Sequence, residues 1–209
     1  MYTKAPPVAP MAFSWTGFYA GFNVGGKWAN TDVTANVPGA GFGLGSTTDS
    51  TVIGGGQIGY NWQTGPWVLG IEGDIDAQHW TTSRVLGAPL GPFIAGDTFN
   101  AESNWQASIR GRLGYAWDRV LIYATGGAAF TQVKAGTTLV GIGATTDDQT
   151  IVGGTVGGGI EYALTNSVSL GVEGRWTFYG DNTFNGPAPV TQTIKLDTAE
   201  VLGKLNFHF

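Results

Sequence analysis

The stretch that decides the fold class is Phe18-Tyr-Ala-Gly-Phe-Asn-Val-Gly-Gly-Lys-Trp28. Its even-numbered positions are apolar or glycine, whereas the odd-numbered positions between them are mostly small or polar. Successive side chains of a β-strand point to opposite faces, so a period of two residues predicts a strand between two unlike environments.

The same alternation returns seven more times along the chain, which predicts eight strands. The connections between them alternate in length. Segments 63–66, 118–119 and 163–167 have the length of hairpin turns, whereas 30–51, 80–102, 133–150 and 180–197 are long, rich in Thr, Gly, Asp and Pro, and are predicted to be loops. This order predicts an all-β protein, an eight-stranded antiparallel up-and-down transmembrane β-barrel. The predicted strands are 18–28, 52–62, 67–78, 105–117, 120–130, 152–162, 168–179 and 199–209.

Composition excludes several function classes. Of 209 residues, 35 are glycine and only 12% are charged, with a net charge of −5. The absence of any Lys/Arg cluster excludes a nucleic-acid footprint. The absence of cysteine excludes disulfide scaffolds, thiolate catalysis and cysteine metal sites. The sequence contains no run of 18 apolar residues, so it predicts no membrane-spanning helix. A transmembrane strand, however, needs only about ten alternating residues.

The position of the aromatic residues indicates which face meets lipid. A soluble barrel of the lipocalin type would turn its apolar face inward, and its core would concentrate bulk at the strand centres. Here the aromatics cluster at the strand ends, as the aromatic girdles of outer-membrane barrels do. The predicted girdle residues are Trp28, Tyr60, Trp62, Trp67, Trp105, Tyr115, Tyr162, Trp176, Phe178, Phe207 and Phe209.

The polar face of the strands carries six acidic and five basic residues in near balance. A charge that is buried in a closed lumen needs a partner, and eight strands leave an interior just wide enough for side chains to fill. We therefore expect an ion-pair network that plugs the lumen. Its predicted members are Lys27, Glu72, Asp74, Asp76, Arg110, Arg112, Glu161, Glu173, Arg175, Glu200 and Lys204.

Two domains are expected, a Pro-rich N-terminal extension over residues 1–13 and the barrel over residues 14–209. The first dozen residues cannot pair in a sheet because they contain several prolines. They also lack the apolar run of a signal peptide, so for an exported protein we expect the mature form.

Catalytic chemistry finds little support. His79 together with Ser83, Ser103 and Glu102 would supply the residue types of an esterase triad, but nothing in the sequence brings them together. The glycine runs at 54–56 and 157–159 lack the Lys and Ser of a phosphate-binding loop. We expect no enzyme activity, no cofactor and no metal site.

Five motifs overlap the predicted strands: Ser14-Trp-Thr-Gly-Phe-Tyr-Ala-Gly-Phe-Asn-Val-Gly-Gly26, Trp67-Val-Leu-Gly-Ile-Glu-Gly-Asp74, Arg110-Gly-Arg-Leu-Gly-Tyr115, Val120-Leu-Ile-Tyr-Ala-Thr-Gly-Gly127 and Val172-Glu-Gly-Arg-Trp176. They resemble those of the small porin-family outer-membrane barrels of alphaproteobacteria, a group that includes major outer-membrane antigens of brucellae and rhizobia and overlaps the opacity-like surface antigens.

This resemblance implies a protein of the bacterial outer membrane with a structural and surface-contact role in envelope integrity. Outer-membrane lipid and lipopolysaccharide are the expected contacts. Three alternatives remain: a narrow porin for small solutes, an outer-membrane lipid-modifying enzyme, and the soluble lipocalin-like binder.

Two further features of the family concern the ends of the chain. The alternation of Val201, Leu205 and Phe207 towards the terminal Phe209 is similar to the assembly signal that the barrel-assembly machinery recognises. Some members are tied to peptidoglycan through a mature Ala-Asp amino terminus, a dipeptide that is missing at Met1-Tyr2. The resemblance therefore implies peptidoglycan as a partner, through the N-terminus, only if further residues precede Met1 in the cell.

Overall fold

The computed structural model describes residues 13–209, which form eight antiparallel strands. Each strand pairs with the next, and the last returns to the first, so that the sheet closes into a barrel. The predicted fold class is confirmed. No helix long and apolar enough to cross a membrane occurs within residues 13–209. The strands are β1 (Gly17–Val37), β2 (Ala40–Thr64), β3 (Trp67–Val85), β4 (Thr98–Trp117), β5 (Val120–Leu139), β6 (Gly143–Ala163), β7 (Val168–Asn185) and β8 (Thr191–His208).

The predicted long loops are mostly wrong, because the strands continue through them. β2 has 25 residues and the shortest strands have 18. Segment 30–51 contains only a turn at residues 38–39, and segment 133–150 only the residues 140–142. The error has a physical cause, since Thr, Asp and Gly are common in loops but here lie on a sheet face that meets water.

The apolar side chains change from the outer to the inner face of the sheet halfway up the barrel. Near the start of β1 the large apolar side chains point outward, with Phe22 67% exposed. From Ala29 upward the apolar side chains point inward, because Val33 and Ala35 are buried and Asn30 is exposed. We call the part with an apolar exterior the lower half and the rest the upper half. The lower half comprises residues 17–28, 52–64, 67–79, 104–117, 120–131, 152–163, 168–178 and 199–208.

In the upper half the barrel separates into two four-stranded sheets. The pairing of β2 with β3 ends at Ile53 opposite Gln78, and that of β6 with β7 ends at Gly154 opposite Phe178. Above these points β7, β8, β1 and β2 form one sheet, and β3 to β6 form the other.

Side chains bridge the two seams between these sheets. Across the β2–β3 seam, the Arg84 guanidinium donates to the Ser46 carbonyl at 2.6 Å. Across the β6–β7 seam, the Asn185 backbone N–H donates to the Asp147 carboxylate at 2.7 Å. The sheets therefore keep their positions without a continuous backbone ladder.

An apolar core lies between the two sheets. The upper half thus buries its apolar side chains away from water, which stabilises it. The lower half has the opposite arrangement, with its apolar side chains on the outside. The buried members are Ala29, Trp80, Ala101, Ala129, Val133, Ala135, Ile151, Tyr179, Phe184, Ile194 and Leu196, with Ala35, Phe93, Phe99, Leu139 and Val190 nearer the top.

Candidate functional site

The structure places all eleven charged residues of the predicted network inside the lower half of the barrel. Asp74 is the most exposed of them at 7%. Within each strand their positions share one parity, which directs the side chains into the lumen. Each of the eleven lies within ion-pairing distance of an opposite charge.

Arg110 lies at the centre of the charged layer. Glu72 is directly opposite it in the β3–β4 register, and its carboxylate accepts a guanidinium N–H at 2.6 Å. The same guanidinium donates to Asp74 at 2.9 Å and, across the lumen, to Glu173 on β7. One cation thus neutralises carboxylates from two opposite sides of the barrel.

Two further cations complete this central cluster. Arg175 pairs with Asp74 at 3.1 Å and lies 3.5 Å from Glu200. Lys204 pairs with Glu72 at 2.7 Å and with Glu173 at 3.1 Å. Because each carboxylate is shared between cations, removal of any one charge affects several partners.

Smaller pairs flank the central cluster. Above it, the Lys27 ammonium lies 3.3 Å from Glu200, and Arg175 lies 3.7 Å from Asp76. Below it, Arg112 donates to Glu161, and its guanidinium stacks 3.6 Å from the centre of the Tyr123 ring.

Neutral side chains that were not predicted also hydrogen-bond to the carboxylates of the network. The Tyr19 hydroxyl donates to Glu72 at 2.7 Å, and that of Tyr123 donates to Glu173 at 2.9 Å. Ser108 donates to Asp74 at 2.6 Å. A Cβ at Gly59 would lie 2.4 Å from the Tyr19 ring, so glycine makes room for it. The available signal was parity, since these residues alternate in step with the charged ones.

An aromatic layer closes the lower end of the lumen. Trp15 is fully buried there, its indole N–H donates to the Asp118 carbonyl at 3.3 Å, and its backbone N–H donates to Gln63 at 2.8 Å. Phe13 packs edge-on against Trp15 at 4.9 Å. Residues 1–12 of the predicted extension lie outside the described residues, whereas Phe13 belongs to this layer.

The predicted girdle residues up to Phe207 lie on the outer surface of the lower half, and the exposed Phe209 follows directly after its last strand. Trp28 and Trp176 lie at one level because both are in register with Ala199. At the other end Trp67 and Tyr115 contact edge-on at 5.4 Å. The full set therefore forms two levels, with Trp28, Trp105, Trp176 and Phe178 above and Tyr60, Trp62, Trp67, Tyr115, Tyr162, Phe207 and Phe209 below.

The residues considered for a triad are not assembled into one. His79 contacts Asn104 at 3.1 Å, while Ser103 hydrogen-bonds within the lumen to Gln78. Another Ser–His contact joins Ser169 to His208 Nε2 at 2.8 Å. Within residues 13–209 no three acidic or histidine side chains are grouped to hold a metal ion.

An apolar outer band around a closed, charge-filled lumen defines the class of protein, an integral outer-membrane β-barrel. The family described as outer membrane protein beta-barrel domain matches residues 5–204. The chain belongs to this family, and the protein is located in the outer membrane. The predicted resemblance is confirmed.

Two curated relatives come from alphaproteobacteria. The 31 kDa outer-membrane immunogenic protein of Brucella melitensis is 34% identical over 98% of this chain and 85% of its own length. The 22 kDa outer membrane protein of Rhizobium leguminosarum is 31% identical over 86% of this chain and 71% of its own length.

Solved structures share the fold at low identity. OprG of Pseudomonas aeruginosa aligns with a TM-score of 0.54 and 12% identity, covering 93% of this chain and 96% of that one. The protease OmpT of Escherichia coli aligns with a TM-score of 0.55 and 9% identity, covering 96% and 99%. At these identities the likeness concerns the fold alone.

Proposed function

We propose that the protein is a non-conducting, non-catalytic barrel that supports the envelope and presents its upper half for surface contact. One observation carries this proposal: three layers of side chains follow one another along the barrel axis and fill its interior. They are the aromatic layer at Trp15, the charged layer around Arg110 and the apolar core between the two upper sheets.

The charged layer supports a plug role because of its connectivity. A permeating ion would have to separate pairs that span the lumen, such as Arg110 with Glu173 and Lys204 with Glu72. Breaking a buried pair leaves an uncompensated charge and costs about 3–5 kcal/mol. Buried pairs are also weakly screened by salt, so the plug should persist at high ionic strength.

Conductance across a planar bilayer tests this proposal. A heat-dependent gel shift first establishes that the refolded barrel is closed. We expect no reproducible conductance steps from wild type. As a matched pair, Glu173→Gln alters the charged layer and Glu102→Gln alters the upper half, and only the former should produce current noise. Nanosiemens steps from wild type would support a narrow porin instead.

A non-catalytic role is supported by the geometry at Ser169 and by the names of the curated relatives. Ser169 is fully buried, and both it and Glu161 approach the same nitrogen of His208. In a triad the carboxylate holds the other ring nitrogen. An unchanged lipid A mass after overexpression would agree with this proposal, and a mass shift would support a lipid-modifying enzyme.

The proposed partners follow from the two ends of the barrel. The upper half faces lipopolysaccharide and the cell exterior, and the end of β8 with Phe209 presents the assembly signal to the barrel-assembly machinery. Deletion of Phe209 should lower the amount of heat-modifiable protein in the outer membrane, whereas Phe18→Leu at the facing end of β1 should not. A link from the N-terminal residues to peptidoglycan is tested by its release with lysozyme.

A further inference from the structure

A pocket of about 230 Å³ opens at the top of the upper half. It is formed between the two sheets. One side comes from Val37 at the end of β1 and from Val190 before β8, and the other from the β3–β4 loop at Phe93 and Ile94 and from the β5–β6 turn at Val140.

The lining of this tip pocket is apolar apart from one carboxylate. Phe93 is buried beneath it as part of the upper core. Around the opening, Ile94, Val140 and Ile142 expose between 47% and 71% of their surface. These side chains lie at the outermost end of the molecule, above the polar exterior of the upper half, where lipid does not cover them.

The carboxylate and several backbone N–H groups of the lining already form hydrogen bonds within the protein. Asp97 accepts the Ile94 backbone N–H at 2.9 Å on one oxygen and the Val140 N–H at 2.8 Å on the other. The Val190 N–H donates to Pro187 at 2.9 Å, and that of Ile142 donates to Leu139 at 3.1 Å. No Lys, Arg or His lines the pocket.

This charge pattern decides the chemical class of the ligand. An anion finds no countercharge, and a sugar finds only one polar side chain, the Asp97 carboxylate, both oxygens of which already accept a backbone N–H. Burying either ligand would therefore carry a desolvation cost that is poorly compensated. For a neutral alkyl group, the binding free energy becomes more favourable with every methyl group that it covers. An apolar cavity of about 150 Å³ takes benzene, so this larger pocket accommodates a chain of about six to eight carbons.

We infer that the tip pocket binds the alkyl group of a small neutral molecule. This inference goes beyond the proposed structural and surface-contact function, and it does not require an open lumen. The two sheets act as the two walls of the site, and the Asp97 hydrogen bonds keep the β3–β4 loop and the β5–β6 turn together before the ligand binds.

Titration of the full chain in lipid nanodiscs with 1-hexanol tests the inference. Methyl NMR signals of Ile94, Val140 and Ile142 should shift and saturate. Those of Ile58 and Ile109 on the lipid-facing surface should change only linearly, because they report partitioning of hexanol into the bilayer. A linear, unsaturated response at the tip methyls as well would overturn the inference.

Matched substitutions sharpen the test. Val140→Asn places an amide at the opening and should weaken binding about tenfold, since an amide that loses water without gaining a partner carries a desolvation cost. Val85→Asn changes another exposed valine of the upper half that is not part of the pocket, and should leave the affinity unchanged. Equal affinity of wild type and Val140→Asn would contradict the inference.

Discussion

The lower and upper halves of the barrel use the same strands and the same alternation, yet they are inside-out versions of each other. In the lower half Phe22 faces outward and Lys27 faces inward, whereas in the upper half Asn30 faces outward and Val33 faces inward. The period of two residues therefore specifies a strand. The phase of the apolar residues within that period specifies which solvent surrounds it, lipid or water.

The two halves also differ in what holds the interior together. Directional ion pairs link opposite walls of the lower half, as between Arg110 and Glu173. Non-directional apolar packing holds the upper half, whose two sheets lack a continuous ladder at the seams. Loss of one lower-half charge should therefore destabilise contacts across the whole barrel, while loss of one upper-half methyl group should destabilise only its neighbours.

The largest effect is expected for Arg110→Ala. The substitution leaves Glu72, Asp74 and Glu173 short of their shared cation, and it should lower the free energy of unfolding by about 3–5 kcal/mol. Urea unfolding in lipid vesicles, followed by the heat-dependent gel shift, measures it. Lys195→Ala, an exposed lysine of the upper half, is the matched control. If both variants unfold at the same urea concentration, Arg110 does not anchor the network.

The next effect compares the two exteriors. Ile109→Arg puts a charge on the lipid-facing surface and should cost about 2–4 kcal/mol near the bilayer midplane. Thr48→Arg puts the same charge on the exterior of the upper half, where the change should stay within about 0.5 kcal/mol. The same urea titration compares them. Similar losses for both would mean that the apolar exterior extends above the lower half.

A smaller effect is expected in the upper core. Ile194→Val removes one buried methylene group between the sheets and should cost about 1 kcal/mol. Amide hydrogen exchange should speed up in the upper part of β8, while protection around Leu202 in the lower half stays the same. Faster exchange along the whole strand would show that the halves unfold together.

The smallest effect concerns pH at the β6–β7 seam. The backbone N–H of Asn185, aided by the Gln149 amide, lowers the pKa of the Asp147 carboxyl below its usual range. This contribution to stability is therefore present above the ordinary pKa of about 3.9 and is lost as the pH falls through the lowered value. The Asn185 amide proton shift should titrate there, and Asp147→Asn should abolish the titration. A midpoint above 3.9 would contradict this interpretation.

The sequence predicts the lower half well because both faces of its strands carry a signal. Outward residues such as Phe22 and Ile58 alternate with polar lumen residues, and the charges on one face need partners. The upper half gives a weaker signal. In β1, Ala29, Val33 and Ala35 are small, and the polar residues between them have the composition of a loop.

The network members followed from parity, but their contacts did not. Register explains Glu72 opposite Arg110, since β3 and β4 are consecutive strands that pair directly. The contacts of Arg110 with Glu173 and of Lys204 with Glu72 cross the lumen, so they depend on closure and on the tilt of the strands. Local sequence patterns contain neither quantity.

The pairing of β1 with β8 determines when the barrel can close during its assembly. The Phe209 N–H donates to the Phe18 carbonyl at 2.9 Å, so the ring is completed only after β8 has been synthesised. Until then Glu72 and Arg110 lack the partners that β7 and β8 supply, and an open sheet in the bilayer would expose both charges and an unpaired edge to hydrocarbon. Insertion and closure are consequently one cooperative event, because a partly inserted sheet has no stable arrangement for its charges.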